Sequence, residues 1–263
     1  MAMYAWNLEP TLLIGLIGQV AAYLVCIGPL RRLFPGSAAV PAAQIQIFLL
    51  GSLTMFAALV SPLDTLAGYL FSAHMVQHLL LALVAPPLLL AGTPRWLFRP
   101  LLQLPFALPI GRFLTNPLVT LLVFNIVFIG WHVPAFYDLA LRSQPVHIAE
   151  HLSIFATATL TWWPIFSPMD ELPRAHPLLQ TAYLFFQSLP STILGALIAF
   201  ADHPLYPYYT GVPRIWGVSL LDDQQIAGLI MWIPGSMVFF GVMAVVFIRW
   251  LNRGDQTPVY ERT

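Results

Sequence analysis

Apolar and polar positions fall in blocks along this chain. Seven apolar runs, near residues 11–30, 44–61, 67–91, 117–132, 146–166, 178–201 and 225–250, are as long as a membrane-crossing helix of roughly 20 residues, or nearly so. The polar connections between them are short. The two longest, about 93–116 and 202–224, are rich in proline, and the first is suited to lying along a membrane surface. The pattern predicts an all-α membrane protein: a bundle of seven transmembrane helices in one polytopic domain over residues 1–263, closed by a polar tail from 252 to 263. No basic residue precedes the first run, so that run is expected to be a retained span and not a cleaved signal peptide.

The polar residues inside the runs carry more information than the runs themselves. The third run contains Ser72-Ala-His74-Met75-Val-Gln77-His78. On a helix, residues four apart differ by only about 40° in direction and about 6 Å in height, so His74 and His78 share a face. His147 and His151 repeat that spacing in the fifth run, and His132 closes the fourth. Ionisable groups inside a bilayer are seldom left against lipid, so these faces should look into the bundle or a wet cavity.

Composition fits this class. The chain is 59% hydrophobic and 8% charged, against about a quarter charged in soluble domains. It has no lysine, and its eleven arginines balance eleven carboxylates, so there is no basic surface for nucleic acid. Cys26 is the one cysteine, which excludes an internal disulfide or a site built on several thiolates.

Arginine sets the orientation. With the N-terminus outside, Arg31, Arg32, Arg95, Arg99, Arg112, Arg174, Arg249, Arg253 and Arg262 are cytoplasmic, and only Arg142 and Arg214 are outside, a positive-inside distribution. The C-terminal tail is then cytoplasmic. His74, His78, His132, His147, His151 and His203 all fall toward the outer side, leaving His176 inside, and the last run opens there with Asp222-Asp223-Gln224-Gln225 and reaches Met231-Trp232. One polar site at the outer leaflet is the expectation.

Imidazole suits copper, zinc, iron and nickel. The five clustered histidines are candidate metal ligands. Glu150 and Asp223 are candidate outer partners for a ring N–H, and Gln224 and Met231 are further residues in reach, the thioether favouring monovalent copper. A single pair such as His74/His78 reads equally well as hydrogen bonding within a bundle, whereas five titratable rings on one side call for a compensating site. His203, in Ala-Asp-His-Pro, reads as a solvated loop residue, His176 before Pro177 as a helix start, and Pro86-Pro87 as a kink in the third span.

Taken together, His74-Met75-Val-Gln77-His78, Trp131-His132-Val-Pro134-Ala-Phe-Tyr137-Asp138, His147-Ile-Ala-Glu150-His151, Trp162-Trp163-Pro164 and Asp223-Gln224-Gln225-Ile-Ala-Gly228-Leu-Ile-Met231-Trp232 resemble the CtaG-type cytochrome c oxidase assembly factors of bacteria, seven-span proteins of the cell membrane. The resemblance runs from about Ser61 to Trp250 and implies a role in maturing a haem–copper oxidase by handling copper. It also implies an oxidase subunit as partner, no turnover of its own, and His74, His78, His132, His147 and His151 as the site, with Asp223, Gln224, Met231 and Trp232 beside it. Self-association into a homo-oligomer is left open.

Two other chemistries use the same residues. His147-Ile-Ala-Glu150-His151 matches the H-x-x-E-H pattern of a zinc hydrolase, with Glu150 as general base. Two of the histidines would also suffice as axial ligands of a haem. A transporter is less well supported, since mid-span Asn125 and Gln187 alone make no continuous ion path.

Overall fold

The computed structural model describes residues 4–254, and all its regular elements are helical. The chain's prolines mark where helices begin. Pro10, Pro62, Pro117 and Pro177 each open a helix just after a capping side chain, namely Glu9, Ser61, Asn116 and His176, whose acceptor atom takes a first-turn N–H. Proline there gives up a backbone donor the helix could not use, and the cap satisfies one it could.

The elements in order are α1 (Pro10–Ile27), α2 (Ala42–Leu59), the short α3 (Pro62–Ala67), α4 (Phe71–Gly92), α5 (Ala107–Leu114), α6 (Pro117–His132), α7 (Pro134–Arg142), α8 (Gln144–Phe166), α9 (Pro177–Ala199) and α10 (Leu220–Gly254). Five of them, α1, α2, α4, α9 and α10, are long and apolar enough to cross a membrane, and the pair α5 and α6, bent by 68°, is a sixth candidate. The chain is thus a multi-pass membrane protein. Helix α6 alone has 16 residues, short of a bilayer core. Helix α8 is long enough, but its histidines, glutamate and hydroxyls dilute its apolar character. The polar tail lies outside the described residues from 255 onward.

Helix α4 is the centre of the bundle, packed against α2, α3, α8 and α10, while α1 rests on α2 at the periphery. Pro86-Pro87 does not end α4. The backbone instead passes through a π turn at Leu80–Val84 just before the prolines. Pro86 has no N–H to return to the carbonyl of Ala82, and the indole Nε1 of Trp162 on α8 donates to that oxygen at 2.8 Å. The defect in one helix thereby becomes a tie to the next. Asn125 on α6 similarly donates to Gln187 on α9 at 3.3 Å.

Helices α9 and α10 touch backbone to backbone through two glycines. A Cβ on Gly228 would stand 2.5 Å from the amide nitrogen of Ala199, and one on Gly195 would stand 2.9 Å from the carbonyl oxygen of Gly228. Gly228→Ala should therefore force the helices apart and cost about 2 kcal/mol, at the middle of the range for overpacking, lowering a detergent melting temperature by roughly 4–8 °C. Gly18→Ala on α1, which meets open space, should leave the melt unchanged. Equal melting of the two variants would contradict this close approach.

Candidate functional site

The five clustered histidines come together at one end of the bundle, where the start of α4, the end of α6 and the start of α8 converge. Ring centroids lie 4.3 Å apart for His74/His78 and for His147/His151, the two pairs set by helical periodicity. Between helices, His74 is 5.6 Å from His147 and 5.8 Å from His151, while His78 is 5.4 Å from His151 and 6.2 Å from His132. Helices α4 and α8 are neighbours, so the histidines form one cluster and not two.

Glu150 stands inside this cluster. It points between the pairs, with Oε1 at 3.8 Å from His74 Nε2 and 3.7 Å from His78 Nε2. His74, His147, Glu150 and His151 each offer a ligand atom within 4.8 Å of all the others, and His74 and Glu150 have no exposed surface. His78 and His132 flank that group. His74 Nε2 and His78 Nε2 are 2.7 Å apart, a separation at which two lone pairs must be bridged by a proton or a cation.

Hydrogen bonding within the bundle accounts for little of this. His74 Nδ1, His78 Nδ1, the Nε2 atoms of His132, His147 and His151, and both oxygens of Glu150 are buried without a hydrogen-bond partner. Each such atom costs on the order of 1–3 kcal/mol if left so. Seven such atoms lie in this one cluster. In His132, Nδ1 donates to the carbonyl of Phe128 at 2.7 Å, which leaves the lone pair on Nε2.

The remaining predicted residues sit around the cluster in supporting positions. Asp223, at the start of α10, caps the histidine-bearing helix. Its oxygens accept from the backbone N–H of Phe71 at 2.8 Å and of Ser72 at 3.1 Å, and from the Ser72 hydroxyl at 2.6 Å. Arg214 donates to the same carboxylate at 3.2 Å. Residue 70 offers no cap of its own, so the first turn of α4 depends on this carboxylate from another helix. Gln224 pins the loop before α10, accepting from the Leu205 N–H at 2.7 Å and donating to the His203 carbonyl at 3.1 Å. Met231 and Met75 are buried, and with His78 they line a cavity of about 30 Å³ below the cluster. His203 is exposed and pairs with Asp202 at 2.6 Å.

Three residues carry more of the site than their sequence context suggested. Asp64 on α3 is held by Asn7 at 2.8 Å and Gln77 at 2.9 Å. Gln77, between the two histidines of α4, also donates to the Ala58 carbonyl at 2.9 Å, fixing the rotation of α4 against α2. Tyr137 on α7 is fully buried 5.2 Å from His74. Its hydroxyl lies 3.2 Å from that of Tyr209, which donates to the Ala67 carbonyl. Tyr206 donates to the carbonyl of His132. Burial pushes both Tyr206 and Tyr209 well above the ordinary phenol range, so these hydroxyls keep their protons.

Comparison with known proteins identifies the chain's relatives. The sequence model of the cytochrome c oxidase caa3 assembly factors matches residues 21–253, a span that includes every residue of the cluster. An uncharacterized protein of Mycobacterium leprae (strain TN) is 23% identical over 239 residues, covering 84% of this chain and 36% of its own length. The chain thus spans about a third of that relative. No solved structure matches. With the match extending over most of its length, the chain belongs to the cytochrome c oxidase caa3 assembly factor family.

Proposed function

We propose that this protein is a copper-binding assembly factor of the bacterial cell membrane that supplies copper to a maturing haem–copper oxidase. The observation that carries the proposal is the set of five imidazoles and one carboxylate, each of which keeps a buried nitrogen or oxygen without a hydrogen-bond partner in the protein, four of them within metal-binding reach of one another. Imidazoles bind copper in either oxidation state, and the thioethers of Met75 and Met231 beside His78 add soft donors suited to the monovalent ion. Cys26 lies on α1, outside this group. A site without thiolates exchanges copper more readily than it stores it.

Seven spans with the N-terminus outside place the cluster near the outer leaflet. Two features support that reading. Arg142 and Arg214 lie at the histidine end, paired with Asp138 and Asp223. Arg95 and Arg99 lie at the other end, paired with Asp170 and Glu171. Copper arriving from outside the cell would reach the cluster first, and an oxidase subunit in the same membrane would receive it by lateral contact.

A second reading is favoured by Glu150, which shares a metal-sized group with His147 and His151 as a zinc hydrolase would require. The two readings separate in cells. Deleting the protein should lower the copper content of the membrane oxidase, and its oxygen uptake, with recovery by the wild type but not by His74→Ala/His151→Ala. Full recovery by that variant would remove the copper-supply proposal. A water-dependent activity lost in Glu150→Gln, with zinc bound, would establish the hydrolase in its place.

A further inference from the structure

At the end of the bundle away from the histidines, α8, α9 and α10 enclose a second hollow. From Glu150 to Ile165 on α8 is roughly 22 Å at 1.5 Å per residue, so this hollow and the metal cluster are well separated. Its volume is about 430 Å³, within the roughly 300–1,000 Å³ of ligand pockets. Its walls divide into two chemistries. One side is apolar, formed by Val242, Val245 and Val246 of α10 with Ile165 and Phe166 of α8. The rim carries Arg174, Arg249 and Trp250.

The two arginines differ from Arg95 and Arg99 at the same end. Arg95 pairs with Asp170 at 3.5 Å, and Arg99 with Asp170 at 3.4 Å and with Glu171 at 2.8 Å. Among the described residues, Arg174 and Arg249 form no ion pair. Arg174 is tethered only through Nε to the Ser167 carbonyl at 3.1 Å, which leaves its terminal nitrogens for another acceptor. Partial desolvation and the nearby Arg95 guanidinium both press Arg174 below its ordinary range, the direction expected of a cation with no counter-ion.

We infer that this hollow is a binding site for an anionic phospholipid, its phosphate held between Arg174 and Arg249 and an acyl chain laid over the valine face of α10. The apolar wall selects a lipid over a soluble anion. A free phosphate would need further polar groups from the protein, whereas an acyl chain needs the valines that are there. Val245 is 49% exposed, so the hollow opens sideways to the hydrocarbon from which a lipid would enter. Trp250 at the rim stands where an indole meets headgroups. Planar guanidinium groups are the side chains best matched to phosphate oxygens, and basic pockets between helices are a recurrent form of anionic-lipid recognition.

The test uses the full chain in detergent, with lipid binding followed by native mass spectrometry and by melting. Phosphatidylglycerol should remain bound and raise the melting temperature, while phosphatidylcholine and inorganic phosphate should do neither. Arg174→Gln/Arg249→Gln should weaken phosphatidylglycerol binding roughly 30-fold, the loss expected from removing two charges that attract anionic headgroups. Arg95→Gln, whose partner is a carboxylate of the protein, should keep most of it. Val245→Trp, which fills the apolar wall and leaves both charges, should also reduce binding, and it serves if the double variant fails to fold. Equal retention of phosphatidylcholine, undiminished binding by both the double variant and Val245→Trp, or protection by inorganic phosphate alone would each overturn the assignment.

Discussion

His74→Ala and His151→Ala are each expected to reduce copper affinity by more than about 100-fold. Removing an outer partner of a metal ligand typically costs 10–100-fold, and these two imidazoles belong to the innermost group, one from each histidine-bearing helix. Their loss should show as copper near zero after desalting, against about one ion per chain for the wild type. The other two histidines provide the comparison. His203 is exposed and pairs with Asp202, and His176 caps α9 by accepting from the Leu178 N–H at 3.3 Å. His203→Ala and His176→Ala should retain the wild-type copper content. Copper loss in all four variants alike would mean nonspecific binding, with no defined site.

Asp223→Ala should be the most destabilising single change near the site, at about 3 kcal/mol. Its side chain is 1% exposed and accepts two backbone donors, a hydroxyl and the Arg214 guanidinium. Breaking a buried pair by removing one partner costs about 3–5 kcal/mol, and the lower end applies because Arg214 is partly exposed. Thermal melting in detergent should fall by roughly 6–12 °C. Because the carboxylate caps the helix that carries His74 and His78, copper affinity should fall as well, although no ligand has been removed. Asp223→Asn, which keeps one acceptor oxygen, should lie between. An Asp223→Ala protein that melts like the wild type would show that α4 does not rely on this cap.

Much of this arrangement was written in short-range pattern. Each apolar run coincides with one helix, because burial in a bilayer or bundle demands continuous apolar length, but only five of these helices, or six with the bent pair, are long and apolar enough to cross a membrane. The two histidine pairs were legible because four residues is just over one helical turn. Other features depend on partners distant in sequence. Asp223 has the composition of an outer metal partner, yet it serves α4 as a cap 152 residues away. Nothing local to residue 70 signals that its helix lacks one. Glu150 appeared as an outer partner, and the structure brings its free oxygens into the innermost group. Asp64 and Tyr137 reach the site from short helices, α3 and α7, that no long apolar run predicts. Pro86-Pro87 marked a backbone defect correctly, but the π turn and the Trp162 indole that repair it depend on a neighbouring helix.

On the proposed function, the histidines of α4, α6 and α8 hold one copper ion together. The most direct test is elemental analysis with X-ray absorption on the copper-loaded, detergent-purified protein, wild type beside His74→Ala/His151→Ala. The wild type should hold about one copper per chain with a shell of several imidazole nitrogens, and the double variant should show neither feature. Copper absent from the wild type, or bound equally by the double variant, would contradict it.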